Sequence, residues 1–341
     1  MNEASPLVSV IMPAYNAAKY IQEAINSIIY QSYTHWELIV VNDGSVDDTG
    51  LILRDMAKRE PRVKIIEHSS NLGLIEARNR GIREAKGQYI ANLDSDDLAF
   101  PNRLERQLNF LEAHKEYVAI GAECEEIDHE GKVIGYIKRD ISDEDLKTLL
   151  LFNNYFVNST VLMRAEAAKQ QMYDKRIPLA EDYFFFIRLS KLGRLGNLKE
   201  GLVKYRVHTS NTSLIKEREL NRSLEEIHRL QLVDCLGIEP SEEELRLHAS
   251  IQNQDTEFNE AALKKLEKWL IKVIHANEKV AYYPKERLAY YGAFFYRRCC
   301  LRAKERSKAR RAFFRSPLVN YLKHDFKGNI AFFVKSILNH R

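Results

Sequence analysis

Gln88-Tyr89-Ile90-Ala91-Asn92-Leu93-Asp94-Ser95-Asp96-Asp97 is the stretch on which the reading of this chain turns. A short apolar run ends abruptly in three carboxylates, where a chain optimising only its core has no use for acids. In an open α/β sheet, the crevice outside the carboxyl ends of the strands is where ligands bind. Hard oxygen donors there suit Mg²⁺ or Mn²⁺, ions that usually accompany a phosphorylated substrate. The plainer alternative is a polar turn in which Asp97 caps the next helix, because Asp is favoured in turns and at N-caps. The stretch alone does not decide between them.

Its surroundings do. Leu7–Met12, Trp36–Val41, Val63–Ile66 and Tyr89–Leu93 are short, apolar and rich in β-branched residues, the pattern of strands buried on both faces. Between them, Lys19–Tyr30, Thr49–Arg59 and Ile75–Ala85 repeat apolar residues at helical spacing, as in Ile21, Ala24, Ile25, Ile28 and Ile29. This alternation predicts a mainly parallel sheet with helices on both faces. Gly131-Lys132 marks a turn that pairs Ala119–Glu126 with Val133–Ile137 as a hairpin. Beyond Leu214 strand patterns vanish and helical stretches follow at 217–235, 242–253 and 259–277. The expected division is therefore a domain over 1–214 and a helical region over 215–341.

The 341 residues are 45% hydrophobic and 29% charged, the balance of an ordinary soluble globular protein. Cys124, Cys235, Cys299 and Cys300 form no CxxC pair and read as free thiols of a reducing compartment. Glu3 stands where a signal peptide would be basic, and no apolar run approaches the roughly 18 residues of a spanning helix. A cytoplasmic protein is expected. The net charge of +4 conceals an asymmetry: residues 282–341 hold 15 Lys and Arg against 3 acids, leaving the remainder at −8.

Further polar clusters fall at strand ends. Pro13-Ala14-Tyr15-Asn16 follows the first strand and Asn42-Asp43-Gly44-Ser45 the second. A carboxylate at Asp43 can accept from the ring N–H of a base, and Tyr15 can pack on its face. Gly44 lets the chain turn close to a ligand; ordinary turn chemistry explains the same residues. Asn71-Leu72-Gly73 leads into a helix carrying Arg78, a planar and permanently charged donor for a phosphate, or simply a solvated arginine. Glu181-Asp182 precedes the apolar Tyr183–Ile187, either as helix-start acids or with one acid as general base. Tyr205-Arg206-Val207-His208 follows a strand at Leu198–Lys204, and His208 is compatible with a Mn²⁺ site.

In this order, Val8–Asn16, Val40–Ser45, Asn71–Asn79, Asp94–Asp97, Glu181-Asp182 and Tyr205–Ser210 resemble the family 2 glycosyltransferases over about residues 7–213. The resemblance implies a GT-A fold, Rossmann-like, with the helical region appended, and an inverting transfer of a sugar from a nucleotide-sugar to a glycan or lipid-linked acceptor. By position, Pro13, Ala14, Tyr15 and Asp43 would hold the base, typically uracil. Asp94 would lie near ribose and metal, and Arg78 near the donor phosphates. Asp96 would bind the divalent metal, Mn²⁺ or Mg²⁺, with His208 beside it. Asp182 would be the catalytic base with Glu181 next to it. Asn42 departs from the Asp common in the family, and no QxxRW signature of processive members is present. The implied setting is bacterial surface-glycan synthesis at the inner face of the plasma membrane.

Two alternatives stand beside this: a nucleotidyltransferase of sugar phosphates, which lacks a Gly-rich phosphate loop here, and a catalytically silent binding scaffold. The basic tail interleaves cations with Tyr290-Tyr291, Phe294-Phe295-Tyr296, Phe313-Phe314 and Phe332-Phe333. Peripheral contact with an anionic membrane is expected, with packing into a helical subdomain as the competing reading. No nucleic acid is expected, and a homo-oligomer is compatible with the chain.

Overall fold

The computed structural model describes residues 5–138, 141–207, 217–253 and 256–338. It divides into two compact units, residues 1–146 with 155–220 and residues 147–154 with 221–341.

The first unit is a nine-stranded sheet clothed by helices. Its strands are β1 (Val8–Ala14), β2 (Trp36–Asn42), β3 (Val63–Glu67), β4 (Tyr89–Asn92), β5 (Leu98–Ala99), β6 (Tyr117–Ile127), β7 (Val133–Ile137), β8 (Leu162–Arg164) and β9 (Arg194–Arg206). They run in the order β3-β2-β1-β4-β8-β6-β9-β5, with β7 on β6. The β3-β2-β1-β4 half is parallel, as the strand and helix alternation predicts. Antiparallel β8 then joins β4 to β6, so the sheet as a whole is mixed. The hairpin expected at Gly131 is present, and that glycine takes φ +86°, a conformation costly for residues with a Cβ.

Every residue of β1, β2 and β4 is buried. That is why these strands read as unbroken apolar runs. Helices α1 (Ile21–Ile29), α2 (Thr49–Arg59) and α3 (Leu74–Glu84) connect them. In α1 the buried residues are Ile21, Ala24, Ile25 and Ile28, one stripe at helical spacing. Gly81 lets α3 approach the sheet: a Cβ there would come 2.4 Å from Ile11 Cγ2. Helix α4 (Arg103–Ala113) follows β5, α5 (Asp143–Leu149) follows the hairpin, and α6 (Ala165–Gln171) and α7 (Glu181–Leu189) lie between β8 and β9.

The second unit is helical, with Glu242–Ser250, Glu260–Val280, Lys285–Leu301, Arg306–Arg315 and Phe326–Leu338 as its later members. Ser241 and Glu244 form a reciprocal capping box, and Asn259 accepts from Ala262 N–H at 2.8 Å. Trp269, Phe295, Tyr296, Phe313 and Phe332 are buried here. Much of the tail's aromatic content is therefore core, the competing reading of that segment. Among the described residues, no helix is long and apolar enough to cross a membrane.

Candidate active site

The parallel registers set the ends of β1, β2 and β4 side by side: Ala14 pairs with Asn42 and Ile11 with Asn92. The loops beyond β1 and β2 are tied together. Asp43 N–H donates to Ala14 O at 2.8 Å, Asn16 N–H to Ser45 Oγ at 2.9 Å, and Val46 N–H to Asn16 Oδ1 at 2.9 Å. Asn16 itself is left-handed, at φ +49°, a conformation Asn tolerates better than most residues. Pro13 and Ala14 are buried beneath this mesh, while Tyr15 is 50% exposed.

Asp43 is almost wholly buried and holds the 68–73 segment. Its Oδ1 accepts from Leu72 N–H at 2.9 Å and lies 2.7 Å from His68 Nδ1; its Oδ2 accepts from Gly73 N–H at 2.8 Å. A carboxylate offers about four acceptor positions, so capacity for one more donor remains on Oδ2. Gly44, at φ +70°, passes so close to this segment that a Cβ would lie 2.5 Å from Ser70 C. The base-side loops are thus braced by main-chain contacts that tolerate no side chain at 44.

Arg78 joins the acidic motifs. It is buried on α3, with Nη2 donating to Asp94 Oδ1 at 2.9 Å and Nη1 donating to Glu181 Oε1. The guanidinium is thus not a solvated arginine: it is buried and held by two carboxylates. Burial disfavours its charge, but Asp94 and Glu181 outweigh this and leave its pKa raised. Its Nε is buried with no partner. Glu181, at the start of α7, is pushed up to about 7 by burial, opposed by Arg78 and reinforced by Asp182. Asp182 is less buried, and its Oδ1 accepts from Tyr183 N–H at 2.7 Å. Ala180, just before α7, is left-handed at φ +56°, so the two acids follow a sharp entry into the helix.

The three acids after β4 are not alike. Asp94 has a side chain 29% exposed, and its N–H donates to Ser159 Oγ at 3.1 Å. Asp97 is 1% exposed and does not cap a helix, since β5 follows it and α4 begins only at Arg103. Its Oδ1 accepts from Arg206 N–H at 2.7 Å, while Oδ2 is buried with no partner. Burial, then the neighbouring Asp96 and Asp94, raise its pKa well above the carboxylate range. Arg206 also donates from Nε to Asp96 O at 2.9 Å and from Nη2 to Glu23 Oε2 at 3.0 Å, and it stacks 4.4 Å over Tyr20. This buried arginine fastens the end of β9 to the acidic turn. His208 lies just beyond, outside the described residues.

Among the described residues, no group of three or more His, Cys, Asp or Glu is arranged to hold a metal. The donors at hand are carboxylates on one turn, of which Asp94 and Asp96 are the less buried. That set fits Mg²⁺ or Mn²⁺ bound through one or two carboxylates and completed by substrate phosphates. It does not fit a closed, all-protein metal cage.

Two supporting residues, Tyr173 and Ser159, carry no sequence signal. Tyr173 is buried, stacks on Phe185 at 4.3 Å, and shares Asn92 and Asn158 in hydrogen bonds at 2.9 and 3.2 Å. The Arg78 guanidinium lies 5.4 Å from its ring. Asn79 clasps the Tyr173 main chain, donating to its carbonyl at 2.8 Å and accepting from its N–H at 2.7 Å. Ser159 and Tyr173 belong to no motif and sit far along the chain, so only the fold reveals them.

Comparison with known proteins bears on the family and the fold. The family model described as glycosyl transferase family 2 matches residues 9–195. An uncharacterised glycosyltransferase of Haemophilus influenzae is 39% identical over 237 residues, covering 67% of this chain and 73% of the relative. Residues 1–349 of S. aureus TarS in complex with UDP-GlcNAc superpose with a TM-score of 0.58 at 17% identity, covering 96% of this chain and 91% of that one. This chain spans only 54% of the longer TarS structure. The mannosyltransferase PcManGT of Pyrobaculum calidifontis, with GDP-Man and Mn²⁺, gives 0.54 at 19% identity, covering 99% and 89%. The fold is of the GT-A type with appended C-terminal helices, and the chain belongs to glycosyl transferase family 2.

Proposed function

We propose that this protein transfers a sugar from a nucleotide-sugar, a UDP-sugar first, to a hydroxyl of a glycan or lipid-linked acceptor, inverting the anomeric centre. The observation that carries this reading is the buried Arg78, which binds Asp94 and Glu181 at once. Residues from α3, the end of β4 and the start of α7 thereby meet at one place, with Asp182 next in the chain.

In this reading the base lies against Tyr15 and gives its ring N–H to the remaining acceptor position of Asp43. The rigid mesh of the 14–17 and 43–49 loops fixes that position before the donor arrives, which limits the ordering cost of binding. Asp96, with Asp94 and His208, would hold a divalent cation, Mn²⁺ or Mg²⁺. When bound, such an ion supplies countercharge to a diphosphate leaving group. Asp182 accepts the proton of the acceptor hydroxyl as its oxygen forms the new bond to the anomeric carbon and the nucleoside diphosphate leaves. Glu181, tied to Arg78, orients the acceptor side and keeps Asp182 from turning inward. The relatives' nucleotides differ, UDP-GlcNAc in TarS and GDP-Man in PcManGT. UDP is put first for this chain from the family resemblance, since the Asp43 carboxylate could accept from guanine as well as from uracil. The surface-glycan setting and the inner membrane face follow from the family resemblance.

The test is UDP release from a panel of UDP-sugars by wild type and Asp182→Asn, with UDP affinity measured alongside. A general base contributes about 10²–10⁴-fold, so the variant should lose that much rate and keep its UDP affinity. Asn retains the acceptor for Tyr183 N–H, which separates chemistry from folding. An unchanged rate would remove Asp182 from this role.

A further inference from the structure

We infer that the helices Arg306–Arg315 and Phe326–Leu338 form a docking face for an anionic lipid surface. Two separate observations meet here. The first is an exposed apolar stripe: Ile330 (64% exposed), Phe333 and Val334 lie at helical i, i+3, i+4 spacing on one side of their helix. Phe314 of the preceding helix, 45% exposed, continues the stripe, its ring 6.4 Å from Phe333. Phe332 turns the other way and is buried 4.6 Å from Phe313, so the helix already has its core contact and the stripe is additional. The second observation is charge. Residues 306–338 contain eight Lys and Arg and one acid, Asp325, which is paired with Arg297 at 2.6 Å. Arg310 lies 5.3 Å over the Phe333 ring, placing a cation at the edge of the apolar stripe.

A helix face of this kind gains from both halves of a membrane interface. Aromatic and aliphatic side chains enter the boundary between headgroups and acyl chains, and the flanking cations meet lipid phosphates. Of the aromatics of Lys285–Leu301, Phe295 and Tyr296 do not share this role, being buried in the unit's own core. The docking face belongs to the last two α-helices. A second copy docking through this same face would have to bring like charge onto its cations, and a nucleic acid has no use for an aliphatic stripe.

The inference gains its purpose from the lipid-linked acceptor proposed above but is tested apart from it. Flotation of the full chain is measured with phosphatidylcholine vesicles, alone or mixed with phosphatidylglycerol, at low and high salt. Wild type should float only with the anionic vesicles, and less at high salt. Phe314→Ser with Phe333→Ser, which leaves every charge in place, should weaken vesicle binding at least roughly tenfold, given the apolar area withdrawn. Ile134→Ser with Tyr136→Ser, more exposed on β7, should not. Circular dichroism checks that each variant is folded. The inference is overturned by absence of flotation, by flotation indifferent to lipid charge, or by equal flotation of the Phe variant. It is overturned too if sedimentation shows a dimer that the Phe variant dissolves, or if single-stranded RNA binds while vesicles do not. UDP affinity is read on the same samples: its loss would count against the proposed donor site and leave the docking result standing.

Discussion

Both units bury polar side chains, and one cluster from each differs in charge. In the first, Arg78, Asp94 and Glu181 form a charged group at a sheet edge, and Asp97 sits buried with Arg206 beside it. In the second, His248 is packed as a neutral ring. Its Nε2 donates to Leu151 O at 2.8 Å, its Nδ1 accepts from Trp269 Nε1 at 3.2 Å, and it stacks on Phe152 at 5.4 Å. Gln231 Nε2 donates to Tyr283 O–H at 3.0 Å, and Asn277 clasps the Tyr283 main chain at 2.8 and 2.9 Å. A buried charge is costly to maintain; a neutral hydrogen-bonded network costs less and specifies packing.

The largest effect should come from breaking the charged group. Arg78→Met leaves Glu181 and Asp94 facing each other without their cation, which for a buried pair typically costs about 3–5 kcal/mol. Urea unfolding should show that loss, and transfer activity should fall with it. A variant as stable and active as wild type would mean the arginine is incidental. Removing the neutral network's centre with His248→Phe strands the Trp269 N–H and the Leu151 carbonyl, at about 1–3 kcal/mol each. This change should leave UDP affinity untouched.

Glu181 and His248 should also contribute oppositely with pH. Glu181 has its folded pKa raised from 4.5 to about 7, so the native state holds the proton more tightly than the unfolded chain. Its contribution is present below 4.5 and is lost as pH rises toward 7. His248 is lowered from 6.5 to about 4 by burial, against the pull of the Leu151 carbonyl. Its contribution is present above 6.5 and is lost as pH falls toward 4. The chain has two tryptophans, Trp36 in the first unit and Trp269 in the second, so single-tryptophan variants can follow each unit's unfolding. Glu181→Gln should flatten the decline at Trp36, and His248→Phe the decline at Trp269. Variants that leave both pH profiles unchanged would contradict the contrast.

A smaller, more local effect is expected at Gly81. A methyl group there meets Ile11, so Gly81→Ala should cost about 1–3 kcal/mol through overpacking between α3 and β1. Because α3 carries Arg78, the change should also lower activity beyond what stability explains. Loss of stability alone would show that the site tolerates a shifted helix.

Much of the first unit was legible in the sequence because its strands are buried on both faces and its helices carry one apolar stripe each. Thr49–Arg59 and the strands at 36 and 63 begin where their patterns begin. The acidic turn was legible as a site, since carboxylates at a strand end have no packing use. The roles within it were not. Asp94, Asp96 and Asp97 look equivalent in sequence, yet Asp97 is buried by a contact with Arg206, 109 residues away. The partner of Arg78 at Glu181 is 103 residues away. Such contacts leave no periodicity, and neither does the assignment of residues 147–154 to the second unit, where Leu151 serves as the acceptor for His248. His208 falls outside the described residues, so its place at the metal remains with the proposal.

The measurement that tests the account most directly is calorimetric titration of UDP, GDP and dTDP, each with Mn²⁺ and with EDTA, into wild type and Asp96→Ala. The account predicts UDP binding that requires the metal and disappears in the variant. Failure of every nucleotide to bind, with metal or without, would contradict it.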